Sequence, residues 1–112
     1  MAIIGIGVDI EEISRFKDKP YEDNKSFYEK IFTSAEIEYC MKKGNPYPSF
    51  AVRFSAKEAT VKALNKEIDM KSVEVIKEGE LPKLKVIGED GIMHLSLAHT
   101  KNYATAVVVV EE

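Results

Sequence analysis

The chain has a single cysteine, no tryptophan and only four prolines among its 112 residues. Because Cys40 is alone, an internal disulfide framework and a metal cluster of several thiolates are excluded, and a reducing compartment such as the cytoplasm is favoured. No apolar stretch approaches the ~20 residues that a membrane span requires. We expect no signal peptide, because the apolar N-terminal run lacks a preceding basic segment and is interrupted by Asp9.

The sequence also lacks a large excess of either positive or negative residues. Lysine and arginine together number 16 against 19 aspartates and glutamates, for a net charge of −3. This balance argues against a broad nucleic-acid or membrane-surface role. Apolar residues make up 45% of the chain, which is typical of a globular core rather than a disordered segment. A chain of this length buries one core, so we predict a single domain over residues 1–112.

The periodicity of apolar residues predicts an N-terminal strand, then helices, then a mostly antiparallel C-terminal sheet, which is an α+β fold. Residues 2–10 are expected to form a buried strand, and four β-rich segments within 73–111 to form consecutive antiparallel pairs. Thr33 to Glu36 is a capping-box signature, and the helix that it opens should run to Gly44.

The strongest predicted helix spans residues 50–66, with Ser49 available as its N-cap. Large apolar residues lie on one side of this helix and small alanines on the other. Since a helix that is apolar on two sides must be packed on both, we expect it to be central. Glu58 lies at the edge of the apolar side, with Lys62 one turn later on the same face.

Two carboxylates are candidate ligands. Glu58 and Lys62 form either an ordinary helical ion pair or a metal ligand followed by a phosphate-binding lysine; oxygen ligands in small number suit Mg²⁺ shared with substrate phosphates. Asp9 shares one strand face with Gly5 and Gly7, where a ligand or another backbone can approach closely. The glycine face favours a ligand site, and the alternatives for Asp9 are a polar strand end or a helix N-cap.

Three segments combine into a pattern that is known from one family. They are GIGVD from Gly5 to Asp9, RFSAKEATVK from Arg53 to Lys62, and HTKNYA from His99 to Ala104. Their order and spacing resemble the 4′-phosphopantetheinyl transferases of the short holo-acyl-carrier-protein synthase type. The resemblance extends from residue 3 to residue 111, and it implies the fold of that family.

The resemblance implies a Mg²⁺-dependent transfer of the phosphopantetheine arm of coenzyme A (CoA) to a serine of an apo acyl carrier protein, releasing adenosine 3′,5′-bisphosphate. Asp9 and Glu58 would hold the metal. Glu11 is either a third metal ligand, as in the D-x-E triplet of the larger transferases, or a solvated residue in a first helical turn. Glu58 and Lys62 would be catalytic, and the general base would be Glu58 or a metal-bound water.

The resemblance also implies where CoA and the protein partners bind. The residues that would contact CoA are Arg53, Lys57, Lys62, His99 and Thr100. Short members of the family are trimers with active sites between subunits, so a homotrimer is implied here. Arg15 would dock an acidic carrier-protein helix, although Glu11 and Glu12 lie close to it in the sequence.

Three departures from the family pattern keep an alternative open. Asn65 stands where a glycine is usual after the central helix, although asparagine tolerates the left-handed conformation of such a turn. Ala98 replaces a hydroxyl residue, and Glu11 and Glu12 alter the docking surface. The alternative is a non-catalytic CoA- or nucleotide-binding relative; a purely structural oligomerisation domain is a third hypothesis.

Overall fold

A computed structural model describes residues 2–78 and 81–112. The helices and strands follow one another in the order β1 (Ile3–Glu12), α1 (Ser14–Lys17), α2 (Lys25–Ile31), α3 (Ser34–Met41), α4 (Tyr47–Leu64), β2 (Val73–Glu78), β3 (Leu81–Val86), β4 (Ile92–His99) and β5 (Tyr103–Glu111). The predicted α+β class is confirmed. Across the described residues, none of the helices combines the length and apolar character needed to cross a bilayer.

The strands form two antiparallel sheets rather than one continuous series of pairs. The larger sheet has the order β1-β5-β4, and the smaller sheet pairs β2 with β3. The expectation of consecutive pairs holds for β2–β3 and for β4–β5, but within residues 2–78 and 81–112 no ladder joins β3 to β4. The turn predicted between β2 and β3 includes Gly79 and Glu80, which lie outside the described residues.

Helix α4 crosses the inner face of β1 at very short range. A Cβ atom added to Gly5 would lie 1.8 Å from the carbonyl oxygen of Ala63, and one added to Gly7 would lie 1.9 Å from that of Ala59. The close approach predicted at the two glycines is therefore made by the backbone of α4 and not by a ligand. The alanines of α4 allow this approach because they carry no bulk beyond Cβ.

The opposite side of α4 packs against an aromatic core. Phe54 contacts Phe16 of α1 with ring centroids 5.6 Å apart, and Phe50 contacts Tyr28 of α2 at 4.7 Å. The rings are tilted or edge-on, as aromatic pairs in protein cores prefer. The predicted central position of the helix is thus confirmed, with the sheet on one side and the small helices on the other.

The helix boundaries differ from the predicted ones. Helix α4 begins at Tyr47 with Pro46 as N-cap, and Pro48 lies in its first turn, where the missing N–H of a proline leaves no intrahelical hydrogen bond unmade. Ser49 therefore lies inside the helix. Asn65 ends it in the left-handed conformation at φ 53°, as expected. The capping box of α3 is confirmed, but that helix ends at Met41.

One face of β1 is not buried, contrary to the expectation for residues 2–10. Ile4, Ile6, Val8 and Ile10 point away from α4 and are 57%, 67%, 56% and 66% exposed. Val107, the ladder partner of Val8 on β5, extends the same apolar face at 38% exposed. We call this surface the outer sheet face. Large contiguous apolar surfaces of this kind mark sites of protein association.

The crossing of β1 and α4 predicts that an added methyl group at Gly7 is severely destabilising. We expect Gly7→Ala to lower the free energy of unfolding by about 3 kcal/mol or more, since rigid backbone cannot yield as a side chain does. Gly44→Ala is the matched control, because a Cβ there meets nothing within 4 Å. Urea unfolding followed by circular dichroism measures both; equal stability of the two variants would contradict the prediction.

Candidate active site

Asp9 lies on the inner face of β1, where the strand leaves the closest part of its crossing with α4. Its main-chain carbonyl accepts hydrogen bonds from Ser55 Oγ at 2.9 Å and Thr105 Oγ1 at 2.7 Å. Its carboxylate atom Oδ1 is 3.5 Å from Lys62 Nζ. The second oxygen, Oδ2, is buried and has no hydrogen-bond partner within the described residues. This oxygen is a free ligand atom on a negatively charged group.

Glu58 is carried by α4 between two residues that contact β1. Ser55 and Lys62, one turn before and one turn after it, both bind β1, Lys62 through a bond from Nζ to the Val8 carbonyl at 2.9 Å. Residues three and four apart on a helix share a face. Along the helix, Glu58 lies between these two residues, and it lines a cavity of about 430 Å³ with Val61 and Glu67 to Met70.

Glu11 is in β1 and not in a first helical turn, so one of its two interpretations is removed. It shares the inner face with Asp9, as residues two apart on a strand do. Its carboxylate forms an ion pair with Arg15 Nη1 at 3.0 Å. Burial, and then the neighbouring carboxyl of Asp9, raises the pKa of Glu11 to about 7, against the opposing effect of Arg15. An added cation at this pair would relieve the repulsion.

The donor set fits a magnesium ion that is held by few protein ligands. Asp9 supplies a carboxylate oxygen that has no hydrogen-bond partner in the described part of the chain, and Glu11 supplies a second carboxylate beside it. Within residues 2–78 and 81–112, no three of these side chains are already arranged as a metal cage. Mg²⁺ typically takes one or two carboxylates and completes its coordination with water and substrate phosphates.

Arg53 and His99 both line a separate cleft of about 380 Å³ among α3, α4 and the strands β2, β3 and β4. Arg53 is 5% exposed and stacks over the Tyr39 ring at 4.3 Å, and its Nε atom has no partner among the described residues. Lys43 and Lys77 also line the cleft. Sequence reasoning missed both lysines, because only the fold brings the end of α3 beside β2.

Thr100 follows His99 in the turn between β4 and β5. Its hydroxyl accepts a hydrogen bond from the Tyr103 main-chain nitrogen at 3.1 Å, and its own main-chain nitrogen donates to the Tyr103 carbonyl at 2.8 Å. These bonds close the turn and hold His99 at the edge of the cleft.

The predicted site residues thus form two groups on different sides of α4. Ser55 and Lys62 lie on the side that contacts Asp9 and Val8 of β1, and Glu58 is one helical turn from each. Arg53 lies on the other side of α4, where it stacks on Tyr39 and lines the cleft with His99. A single chain places a carboxylate group at one of its surfaces and a cationic cleft at another.

The family is decided by comparison with known proteins. The sequence model described as the 4′-phosphopantetheinyl transferase superfamily matches residues 5–108. The chain belongs to this superfamily. It is 44% identical to the holo-(acyl-carrier-protein) synthase of Chlamydia caviae, with 93% of each chain covered. It is 41% identical to the enzyme of the same name from Thermodesulfovibrio yellowstonii, over 96% of this chain and 98% of the relative.

Solved structures agree with the sequence comparison. A holo-(acyl-carrier-protein) synthase from Bacillus anthracis, in complex with CoA (3′,5′-ADP), superposes with a TM-score of 0.87 at 33% identity, covering 97% of this chain and 96% of that one. The Helicobacter pylori enzyme in complex with coenzyme A gives 0.83 at 28% identity, covering 95% and 99%. The predicted phosphopantetheinyl transferase-like fold is therefore confirmed.

Lys57 does not have the role in CoA binding that its place in the family motif implies. The side chain is fully buried, and Nζ lies 2.8 Å from Glu36 Oε1. The same nitrogen donates to the carbonyls of Met70, at 2.9 Å, and Val73. An ammonium has three donors, and all three are used inside the fold. Burial lowers the pKa of Lys57, and the Glu36 carboxylate opposes this shift.

Glu36 is equally committed to this buried pair. Its carboxylate accepts from the main-chain nitrogens of Thr33 at 2.9 Å and Val75 at 3.0 Å. The pair thus joins α3, α4 and β2, and we leave Lys57 out of the binding residues.

We expect Lys57→Met to lower the free energy of unfolding by roughly 3–5 kcal/mol, because it leaves the Glu36 carboxylate buried without its cation. Lys42→Met is the matched control. Lys42 pairs with Glu38 at 3.4 Å, with both side chains more than 70% exposed, and such a pair contributes about 1 kcal/mol or less. Urea unfolding of the two variants tests the difference, and a loss at Lys57 no larger than at Lys42 would refute the assigned role.

Proposed function

We propose that this protein, as one domain over residues 1–112, is a holo-(acyl-carrier-protein) synthase. It transfers the 4′-phosphopantetheine group of CoA to a serine of an apo acyl carrier protein and releases adenosine 3′,5′-bisphosphate. Membership of the superfamily, together with relatives of that name at over 40% identity, supports the reaction. The observation that carries the assignment to particular residues is the buried, unpartnered oxygen of Asp9 on the α4 side that presents Glu58 and Lys62.

We assign Asp9 and Glu58 as the residues that hold Mg²⁺, with Glu11 as a further carboxylate on the same strand face. When bound, the metal neutralises charge that develops on the pyrophosphate oxygens of CoA. The carboxylate ligands would determine the position of the metal ion. Burial, and then the neighbouring Asp9 carboxyl, raises the pKa of Glu11, and a bound cation would oppose that shift.

Lys62 and Glu58 are the proposed catalytic residues of the chain. The serine hydroxyl attacks the β-phosphorus, and the bond from that phosphorus to the bridging oxygen breaks, so that the bridging oxygen leaves with adenosine 3′,5′-bisphosphate. Glu58, directly or through a water that it orients, accepts the serine proton. Lys62 exchanges its bond to the Val8 carbonyl for a phosphate oxygen, where its charge stabilises the transition state.

The cleft at Arg53 and His99 is the proposed site for the nucleotide end of CoA. Arg53 has an unpartnered Nε, and Lys43 and Lys77 add two cations at the same cleft. Cations grouped around an apolar floor suit a phosphorylated nucleotide. Thr100 takes part by holding the turn that carries His99.

We propose a homotrimer in which each CoA site is shared between subunits. The carboxylate group and the cationic cleft lie on different sides of α4, so one chain alone does not surround a ligand that needs both. The outer sheet face supplies the apolar surface that association requires. A closed ring with a heterologous interface repeats the same junction three times.

The acyl carrier protein is the proposed acceptor, and the cytoplasm is the proposed compartment. Arg15 on α1 is the proposed docking residue. In the free chain it pairs with Glu11 at 3.0 Å and lies 4.8 Å from the centre of the Phe54 ring. Docking therefore competes with an internal ion pair, which favours an acceptor with strong negative charge at its docking helix.

The transfer reaction itself is tested by mass spectrometry of a panel of apo carrier proteins incubated with CoA and Mg²⁺. We expect wild-type protein to add phosphopantetheine, and Asp9→Ala and Glu58→Ala each to lower turnover by about 100-fold or more, because each removes a proposed metal ligand. Glu38→Ala, at an exposed glutamate of α3, is the control and keeps wild-type turnover. CoA binding without an adduct on any acceptor would instead support the non-catalytic alternative.

The shared site is tested by mixing two inactive variants. Asp9→Ala and His99→Ala proteins are unfolded together and refolded as random mixtures. Each junction then has about one chance in two of an intact carboxylate side and one in two of an intact nucleotide side, so about a quarter of sites are whole. Activity should return to roughly a quarter of wild type, while each variant refolded alone stays inactive. Mixed trimers without restored activity would show that each subunit carries a complete site.

A further inference from the structure

The main-chain carbonyl of Asp9 is held from both faces of the sheet. Ser55 Oγ of α4 donates to it at 2.9 Å from the inner side, and Thr105 Oγ1 of β5 donates at 2.7 Å. Ser55 is completely buried. Two hydroxyl groups therefore donate to one carbonyl oxygen, in addition to the β1–β5 ladder in which Asp9 pairs with Ala106.

The position of Ser55 follows from the crossing of β1 and α4. Strand residues two apart are separated by ~6.7 Å, and helix residues four apart are separated by ~6 Å. Every second residue of β1 can therefore lie opposite every fourth residue of α4. Gly5 meets Ala63 and Gly7 meets Ala59 through direct backbone contact. Two residues further along β1 and four residues earlier in α4, Asp9 lies opposite Ser55. Here the strand carries a side chain, and a hydroxyl hydrogen bond replaces the backbone contact.

We infer that Ser55 and Thr105 are positioning residues that hold the Asp9 carboxylate in place for the metal, an inference that rests on the proposed function. The carboxylate oxygen Oδ2 is buried without a partner, and Oδ1 lies 3.5 Å from Lys62 Nζ. The Asp9 carboxylate also lies beside the carboxyl of Glu11 on the same strand, and the place of both carboxyls depends on the backbone of that strand. Ligand groups must be held to within ~0.5 Å by their surroundings.

The chemistry of the two donors also suits this role. Serine and threonine hydroxyls are neutral, so they fix the strand without adding positive charge beside a cation site. Lys62 already places one positive charge 3.5 Å from the same carboxylate, and a second cation in place of either hydroxyl would add to the repulsion of Mg²⁺. Groups that orient a metal ligand in this indirect way change metal affinity by about 10- to 100-fold when they are removed.

The test compares the metal affinity of a double variant, which carries both Ser55→Ala and Thr105→Val, with that of the single variant Thr60→Val. Thr60 is the matched control, because it is also a buried hydroxyl of the central region but donates within α4, to the Ala56 carbonyl at 2.7 Å. The first readout is Mn²⁺ binding in the presence of CoA, followed by electron paramagnetic resonance. The second is the Mg²⁺ concentration for half-maximal transfer, with kcat at saturating Mg²⁺. Thermal midpoints and oligomeric mass are recorded for every variant.

We expect the double variant to need about tenfold more Mn²⁺ and Mg²⁺ for half-saturation, with kcat at saturating Mg²⁺ within about threefold of wild type. Thr60→Val should keep the wild-type metal response even where its thermal midpoint falls. Thr105→Ser retains the hydroxyl and should bind metal as tightly as wild type. Thr105→Val lacks the hydroxyl and should bind metal more weakly. All measurements are made well below the lowest melting midpoint.

Two results overturn the inference, and they are distinguishable. If Asp9→Asn weakens metal binding but the double variant matches Thr60→Val, then the hydroxyl groups do not position the carboxylate, and the proposed function stands. If Asp9→Asn binds metal as wild type does, then Asp9 is not a ligand, and the metal assignment fails together with the inference.

Discussion

The crossing of β1 over α4 is the constraint on which the rest of the structure depends. Without side chains at Gly5 and Gly7, the strand lies directly on the helix backbone at Ala63 and Ala59. This contact sets the distance and the angle between the sheet and the helix. Asp9 lies two residues further along the strand, so the same geometry places it beside Ser55 and Lys62 of the helix. A close-packed interior transmits such a constraint because it does not deform easily.

A second constraint acts from the opposite side of α4. The buried pair of Glu36 and Lys57 joins α3, α4 and the start of β2 through five polar contacts. A buried ion pair adds little net stability, but losing one partner is very costly. The pair therefore holds the helices in one arrangement, and the cleft that contains Arg53 and Tyr39 is formed between the elements that it joins.

The exposed apolar residues of β1 and β5 connect the fold with its proposed assembly. An alternating strand shows which residues share a face, but not which face is covered by the same chain. Here the face with little side-chain bulk is the buried one, because the helix backbone fills the space above it. The face that carries Ile6 and Ile10 stays open, at 67% and 66% exposed, and the proposed subunit interface is built on it.

Local signals in the sequence determined the α+β class, the central helix, the capping box at Thr33 and the left-handed end at Asn65, because short-range backbone preferences control these features. The family motif pointed to Asp9, Glu58 and Lys62 as a group. Only the tertiary structure decided that Lys57 is internal and that Lys43 and Lys77 line one cleft. Those outcomes depend on which distant segments pack together, and packing is a property of the whole chain that no local pattern encodes.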